Sequence, residues 1–165
     1  AGSGTTTILL SNLIYRLLSA PEQFEKLKAN RELIPLAIEE CLRVESPLHG
    51  LFRPHNEATT VGPLTIEPDT KIMMMWGAAN LDPTMFPDPE KFDLDRNFAD
   101  VRKHLAFGYG IHICRGAPLS RIEARLFLET IIDRLPNLRF DGPLEKDHRI
   151  PIFNGIGKLP IAWDV

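Results

Sequence analysis

Cysteine is scarce in this chain: its 165 residues hold two, Cys41 and Cys114. Two thiols build no disulfide framework, and the expected compartment is a reducing cytoplasm. Long apolar runs are missing as well. None approaches the roughly 20 residues that a bilayer-crossing helix needs, so no membrane partner is expected. The densest run, Met73-Met74-Met75-Trp76, reads as a buried strand. Basic clusters are absent too. Lys and Arg number 19 against 22 Asp and Glu, and no aromatic residues interleave with cations, which argues against a nucleic-acid partner. There is no internal repeat and no low-complexity tract. With 44 % hydrophobic residues, the chain has enough apolar content for one domain with its own core.

What is present begins with helices. Ile8, Leu9, Leu13, Leu17 and Leu18 recur at helical spacing between Thr5 and Ser19. Pro21 opens a second helix with Phe24 and Leu27 inward. A third is expected from Glu32 to Val44, burying Leu33, Leu36, Ala37, Cys41 and Val44, with Pro35 in its first turn. Proline and glycine then divide short β-type runs over 51–53, 58–61, 64–66 and 71–76. The stretch 82–103 has no sustained period and reads as a long ordered coil, a kind of segment that usually carries function. A helix over 118–135 follows, and then short strands over 138–165. Turns are expected at Asp141-Gly142-Pro143 and at Asn154-Gly155.

The run Phe107-Gly108-Tyr109-Gly110-Ile111-His112-Ile113-Cys114-Arg115-Gly116 is the most informative part of the chain. It sets a cysteine at the end of a glycine-rich loop and just before a helix. Gly108, Gly110 and Gly116 give the loop backbone freedom and let peptide N–H groups approach the sulfur. The first helical turn adds unpaired N–H groups and the positive end of a dipole, both favouring a thiolate. Pro118 suits a first-turn position. A lone cysteine is more often a small core filler, the role expected for Cys41. Structural zinc needs about four ligands, and no second Cys/His cluster accompanies His112 and Cys114.

The pattern Phe-Gly-x-Gly-x-His-x-Cys-x-Gly resembles the haem-binding loop of the cytochrome P-450 family. Glu40-Cys41-Leu42-Arg43 is similar to that family's Glu-x-x-Arg pair. Phe86-Pro87-Asp88-Pro89 and Phe92-Asp93-Leu94-Asp95-Arg96 resemble the segment ahead of the cysteine loop. Ala1-Gly2-Ser3-Gly4-Thr5-Thr6 resembles the oxygen-side helix motif, usually Ala-Gly-x-Asp/Glu-Thr-Thr, and Leu159-Pro160-Ile161-Ala162-Trp163 the closing strand of bacterial members. The resemblance implies a mainly α, multihelical fold with small β-sheet elements. It also implies that this is the C-terminal, haem-binding part of a bacterial-type member, truncated and inactive or weakly active alone. Its parts would be the oxygen-side helix (1–19), the Glu-x-x-Arg helix (32–45), the cysteine loop (107–116) and the following helix (118–135).

The resemblance also assigns roles. Cys114 would be the axial ligand of iron in haem b, with Phe107, Gly108 and Gly116 shaping its loop. Arg53, His104 and His112 would bind the haem propionates. Glu40 and Arg43, by spacing alone a surface ion pair of little worth, would instead form a buried triad with Arg96. Thr5 and Thr6 would serve the proton relay. His49, Leu51, Phe52, Ile152 and Phe153 would border a small hydrophobic substrate, while His55 and His148 are expected exposed. The implied reaction is monooxygenation with dioxygen. Electrons would come ultimately from NAD(P)H through a ferredoxin-type donor docking near Arg102, Lys103, Arg115, Arg121 and Arg125, which otherwise read as a solvated face. An apolar surface left by truncation would favour self-association. One departure stands out: Gly4 occupies the place of the family's acid. It leaves open a peroxide-using enzyme, an isomerase or a dehydratase on the same fold; the alternative from a different class is a folded, non-catalytic fragment without haem.

Overall fold

The computed structural model describes residues 2–147 and 150–164. Ala1 of the opening motif and His148 lie outside the described residues. Helix α1 (Ser3–Ser19) buries Leu9, Leu13, Ile14 and Leu17, one stripe at i, i+4, i+5 and i+8. It ends where Ala20 donates its N–H to the Arg16 carbonyl, and Pro21 starts α2 (Pro21–Ala29) with Phe24 and Leu27 inward. A 3-10 turn, Arg31–Leu33, capped by the Asn30 side chain, precedes α3 (Ile34–Val44). The expected third helix therefore begins two residues late, at Ile34, with Pro35 in the first turn of the α-helix. Leu33 is only half-buried.

Four short strands follow: β1 (Leu51–His55), β2 (Thr59–Val61), β3 (Leu64–Ile66) and β4 (Thr70–Met74). β1 pairs antiparallel with β4 and β2 with β3, a long hairpin of two ribbons. The reading of Met73–Trp76 as a buried strand is corrected here. β4 stops at Met74, Met74 and Met75 are exposed, and Trp76 starts a short helix, α4 (Trp76–Ala79). A two-stranded ribbon has no second layer to cover both faces, so apolar content alone does not bury it. The stretch 82–103 is turns and coil interrupted only by α5 (Phe98–Val101), which Asn97 caps.

Helix α6 (Ala117–Arg134) has Pro118 in its first turn and buries Ala124, Leu128 and Ile131, an i, i+4, i+7 stripe. Three of its other apolar residues, Leu119, Ile122 and Leu126, are more than half exposed. β5 (Arg139–Phe140) pairs with β8 (Ile161–Ala162), and β6 (Glu145–Asp147) with β7 (Gly155–Lys158). Asn154-Gly155 is not a turn; Gly155 already belongs to β7, and Asn154 stands just ahead of it. The core lies where α3 packs between α1 and α6. Every residue of α3 except Pro35 is buried, including Glu39, Glu40 and Arg43. Burying charge in a central helix costs several kcal/mol per ion unless each is paired. The functional geometry grows from those pairs.

Candidate functional site

A cavity of ≈ 540 Å³ lies between the start of α1 and the segment around the cysteine loop. Thr5, Thr6 and Leu9 line it from α1, Leu42, Leu48, Leu51 and Trp76 from the middle of the chain, and Phe107, His112 and Cys114 from the loop. The thiol of Cys114 is exposed. Its N–H donates to the Phe107 carbonyl at 2.9 Å and its carbonyl accepts from Ala117 N at 3.3 Å, so the loop folds back into the first turn of α6. Gly108 (φ 73°) and Gly110 (φ 76°) lie in the left-handed region where a side chain would strain. A methyl group on Gly108 would also stand 3.4 Å from the Trp76 ring. Gly116 is different: its φ of −79° is ordinary. A Cβ there would meet the sulfur at 3.7 Å, an ordinary contact, so neither strain nor crowding requires glycine at this position.

Two adjacent carboxylates on α3 tie this loop and the coil ahead of it to the core. Glu40 accepts from Arg43 Nε and Nη2, both at 2.8 Å, from Arg96 Nε at 2.9 Å and from the Asp93 amide at 3.2 Å. Arg43 also holds the carbonyls of Asn80, Pro89 and Lys91. The pair that spacing alone would place on the surface is therefore fully buried, and it organises the coil ahead of the loop. Glu39 binds Arg121 and His104. Burial pushes its carboxyl up, but the hydrogen bonds from Arg121 and His104 outweigh this and hold it at about 2, below the usual 4.5. Arg121 is thus not part of a solvated face.

Several expected site residues stand elsewhere. His104 is buried, with Nε2 on Glu39 at 3.1 Å and Nδ1 accepting the Ala106 N–H at 3.2 Å. Both ring nitrogens are used inside the protein, so neither is left for a propionate. Phe52 is 58 % exposed. Strand alternation puts Leu51 and Arg53 on one face and Phe52 on the other, so only Leu51 of the expected substrate-border residues lines the cavity. Arg53 is half-buried, shares Leu51's face and, among the described residues, pairs with no carboxylate. His49 and Ile152 are joined by their backbones, His49 N donating to Ile152 O at 2.9 Å. Phe153 lines a separate cavity of ≈ 410 Å³ with Gly4, Thr7 and Ile8 of α1. His55 is half-buried, not exposed, and among the described residues its Nε2 is buried without a partner. On α1 the Thr6 hydroxyl donates to Gly2 O at 2.7 Å, leaving Thr5 as the neighbouring hydroxyl on the cavity wall.

Sequence reasoning missed Glu39, Asn80 and Trp76. Asn80 is fully buried; its side chain accepts the Leu105 amide at 2.6 Å and donates to Ser46 Oγ at 2.8 Å. The signal for Glu39 was available: a second acid sits beside Glu40, between Ile38 and Cys41, in a helix apolar on several faces.

A soft sulfur donor on an apolar cavity selects a soft metal. Among the described residues no three His, Cys, Asp or Glu side chains converge as a metal-ion site. The cavity sets one exposed cysteine among mainly apolar side chains. Such a site on this largely helical scaffold fits the haem-thiolate class.

Comparison with known proteins agrees. A sequence profile for cytochrome P450 matches residues 1–159, and this chain belongs to the cytochrome P450 family. It is 38 % identical over 166 residues to the biotin biosynthesis cytochrome P450 of Bacillus subtilis, covering 99 % of this chain and 41 % of that protein. It is 39 % identical over 166 residues to the monooxygenase PikC of Streptomyces venezuelae, covering 99 % of this chain and 39 % of PikC. Among solved structures, CYP109E1 from Bacillus megaterium in complex with testosterone superposes with a TM-score of 0.94 at 40 % identity, covering all of this chain and 45 % of that one. P450BioI in complex with hexadec-9Z-enoic acid ligated acyl carrier protein gives 0.92 at 36 % identity, covering 98 % and 41 %. The chain thus spans about two fifths of the length of the curated relatives it matches. Among the described residues no helix is long and apolar enough to cross a membrane.

Proposed function

We propose that this chain forms the cysteine-bearing part of a haem-thiolate monooxygenase that transfers one atom of dioxygen to a small hydrophobic molecule. The observation that carries the reading is the exposed Cys114 thiol on the ≈ 540 Å³ cavity whose opposite wall holds Thr5. When bound there, haem b supplies dioxygen activation and oxygen transfer, with the anionic sulfur donating electron density to the iron. Cys114 would supply the sulfur ligand to that group from its place just ahead of the first turn of α6. Phe107, Leu9 and Leu42 exclude water, while Arg53 and His112 are the groups for the two propionates. Thr5 holds a hydroxyl where a proton is handed toward the oxygen side. Glu40, Arg43 and Arg96 serve assembly, not chemistry.

The balanced reaction consumes substrate, dioxygen, two electrons and two protons and yields the hydroxylated product and water. Electrons come ultimately from NAD(P)H through a ferredoxin-type donor in the cytoplasm. A groove of ≈ 290 Å³ lined by Phe98, Arg102, Ile122 and Arg125, with Arg115 exposed nearby, offers a basic, partly apolar docking face for an acidic partner. Tyr109, Ile111, Leu119 and Leu126 are exposed as well, and that apolar surface favours self-association of the isolated chain.

The test is the ferrous–CO spectrum after haem loading. A Soret band shifted far to the red by thiolate ligation is expected in the wild type and absent in Cys114→Ser. An unchanged spectrum in Cys114→Ser rejects the assignment. Gly4, where relatives of this motif place an acid, favours a second reading in which peroxide replaces dioxygen and electrons. Labelled dioxygen separates the two, because the first reading must put the label into product.

A further inference from the structure

We infer that Glu39 is a positioning residue of the cysteine loop, clamping both ends of that loop to α3 through His104 and Arg121. Its functional sense rests on reading Cys114 as the ligand; its geometry does not. Glu39 is 3 % exposed. Its Oε1 accepts from Arg121 Nε at 2.5 Å, and its Oε2 accepts from Arg121 Nη2 at 2.8 Å and from His104 Nε2 at 3.1 Å. His104 lies ahead of the loop and Arg121 lies behind it, on the second turn of α6.

The two arms meet at Phe107. Because His104 Nδ1 accepts the Ala106 N–H, the ring proton sits on Nε2 and is donated to Glu39. That fixes the backbone just before Phe107. Arg121 lies 4.5 Å over the Phe107 ring, and the Phe107 carbonyl receives the Cys114 N–H at 2.9 Å. A single carboxylate thus sets the ring that borders the cavity and the carbonyl that orients the cysteine. Glu40 cannot substitute, since its oxygens are occupied by Arg43, Arg96 and the Asp93 amide. Successive residues point about 100° apart around a helix, so neighbouring acids address different segments.

Hydrogen exchange under native conditions on the cofactor-free protein tests this. In Glu39→Gln, segment 104–117 is expected to exchange about tenfold faster, from the loss of charge-assisted hydrogen bonds. Segment 80–96, which Glu40 and Arg43 hold, is expected to stay unchanged. Arg121→Lys keeps the charge but cannot span two oxygens, so it should show the same pattern more weakly. It also decides the matter should Glu39→Gln fail to fold. Uniform acceleration of both segments, or none in 104–117, overturns the clamp. In haem-loaded Glu39→Gln the thiolate-type CO band is expected to lose intensity. Localised acceleration in a protein whose wild type never shows that band keeps the clamp and removes the ligand reading instead.

Discussion

Glu40→Gln removes one charge from the most deeply buried ion pair of the chain. Glu40 and Arg43 have no exposed side-chain surface, and Arg96 is 13 % exposed. The substitution leaves the shape nearly intact. It turns one acceptor oxygen into an NH₂ group facing guanidinium donors and strands the Arg43 charge in the core. Breaking a buried pair in this way costs about 3–5 kcal/mol. Against a typical domain stability of about 5–15 kcal/mol, that is a large fraction. At about 2–4 °C per kcal/mol for a chain of this size, the melting temperature should fall by about 10 °C. Urea unfolding followed by circular dichroism reads the loss directly, with Glu25→Gln as the control. Glu25 pairs with Lys28 on the surface, and its removal should change nothing measurable. Replacing Glu40 and Arg43 together by apolar residues should not restore stability, because the carbonyls of Asn80 and Pro89 then lose their donor. If Glu40→Gln stays within about 1 kcal/mol of wild type at an unchanged denaturant slope, the reasoning from burial is wrong.

Three further outcomes are expected. Glu39 is depressed from 4.5 to about 2, so its contribution is present above pH 4.5 and is lost as pH falls toward 2. The shift corresponds to about 3 kcal/mol, reduced to about 2 by solvent at the partly exposed Arg121, so wild-type and Glu39→Gln unfolding curves should converge on acidification. Gly4→Asp is expected to fold, because a Cβ at Gly4 meets nothing within 4 Å and α1 has no acid in its first turn. It should stabilise that helix by about 1 kcal/mol, read as a higher melting temperature. Arg125→Glu should slow reduction by an acidic iron–sulfur donor and flatten its dependence on salt, as stopped-flow kinetics at several ionic strengths will show.

The parts of the fold that were legible share a local cause. The stripe of α1, the proline that starts α2 and the loop–helix junction at Cys114 each depend on residues a turn apart, and each lies where spacing places it. The failures share a distant cause. His104 reads as a ligand-binding residue until Glu39, far earlier in the chain, packs against it and takes its Nε2. Glu39 reads as an ordinary helix acid until Arg121 arrives from α6. Phe52 falls on the outer face by simple alternation, a step that a contiguous apolar list conceals. Met73–Met75 show the limit of hydropathy: a ribbon without a covering layer keeps its apolar side chains in view of water.

Trp76 has a practical consequence. It is one of two tryptophans, it is buried against Gly108, and it lines the same cavity as Cys114, whereas Trp163 near the chain end is 44 % exposed. With Trp163 exchanged for phenylalanine, the intrinsic fluorescence comes from that one indole. Anything that fills the cavity or displaces the glycine turn then alters a single emission band, so the molecule carries its own optical gauge of occupancy.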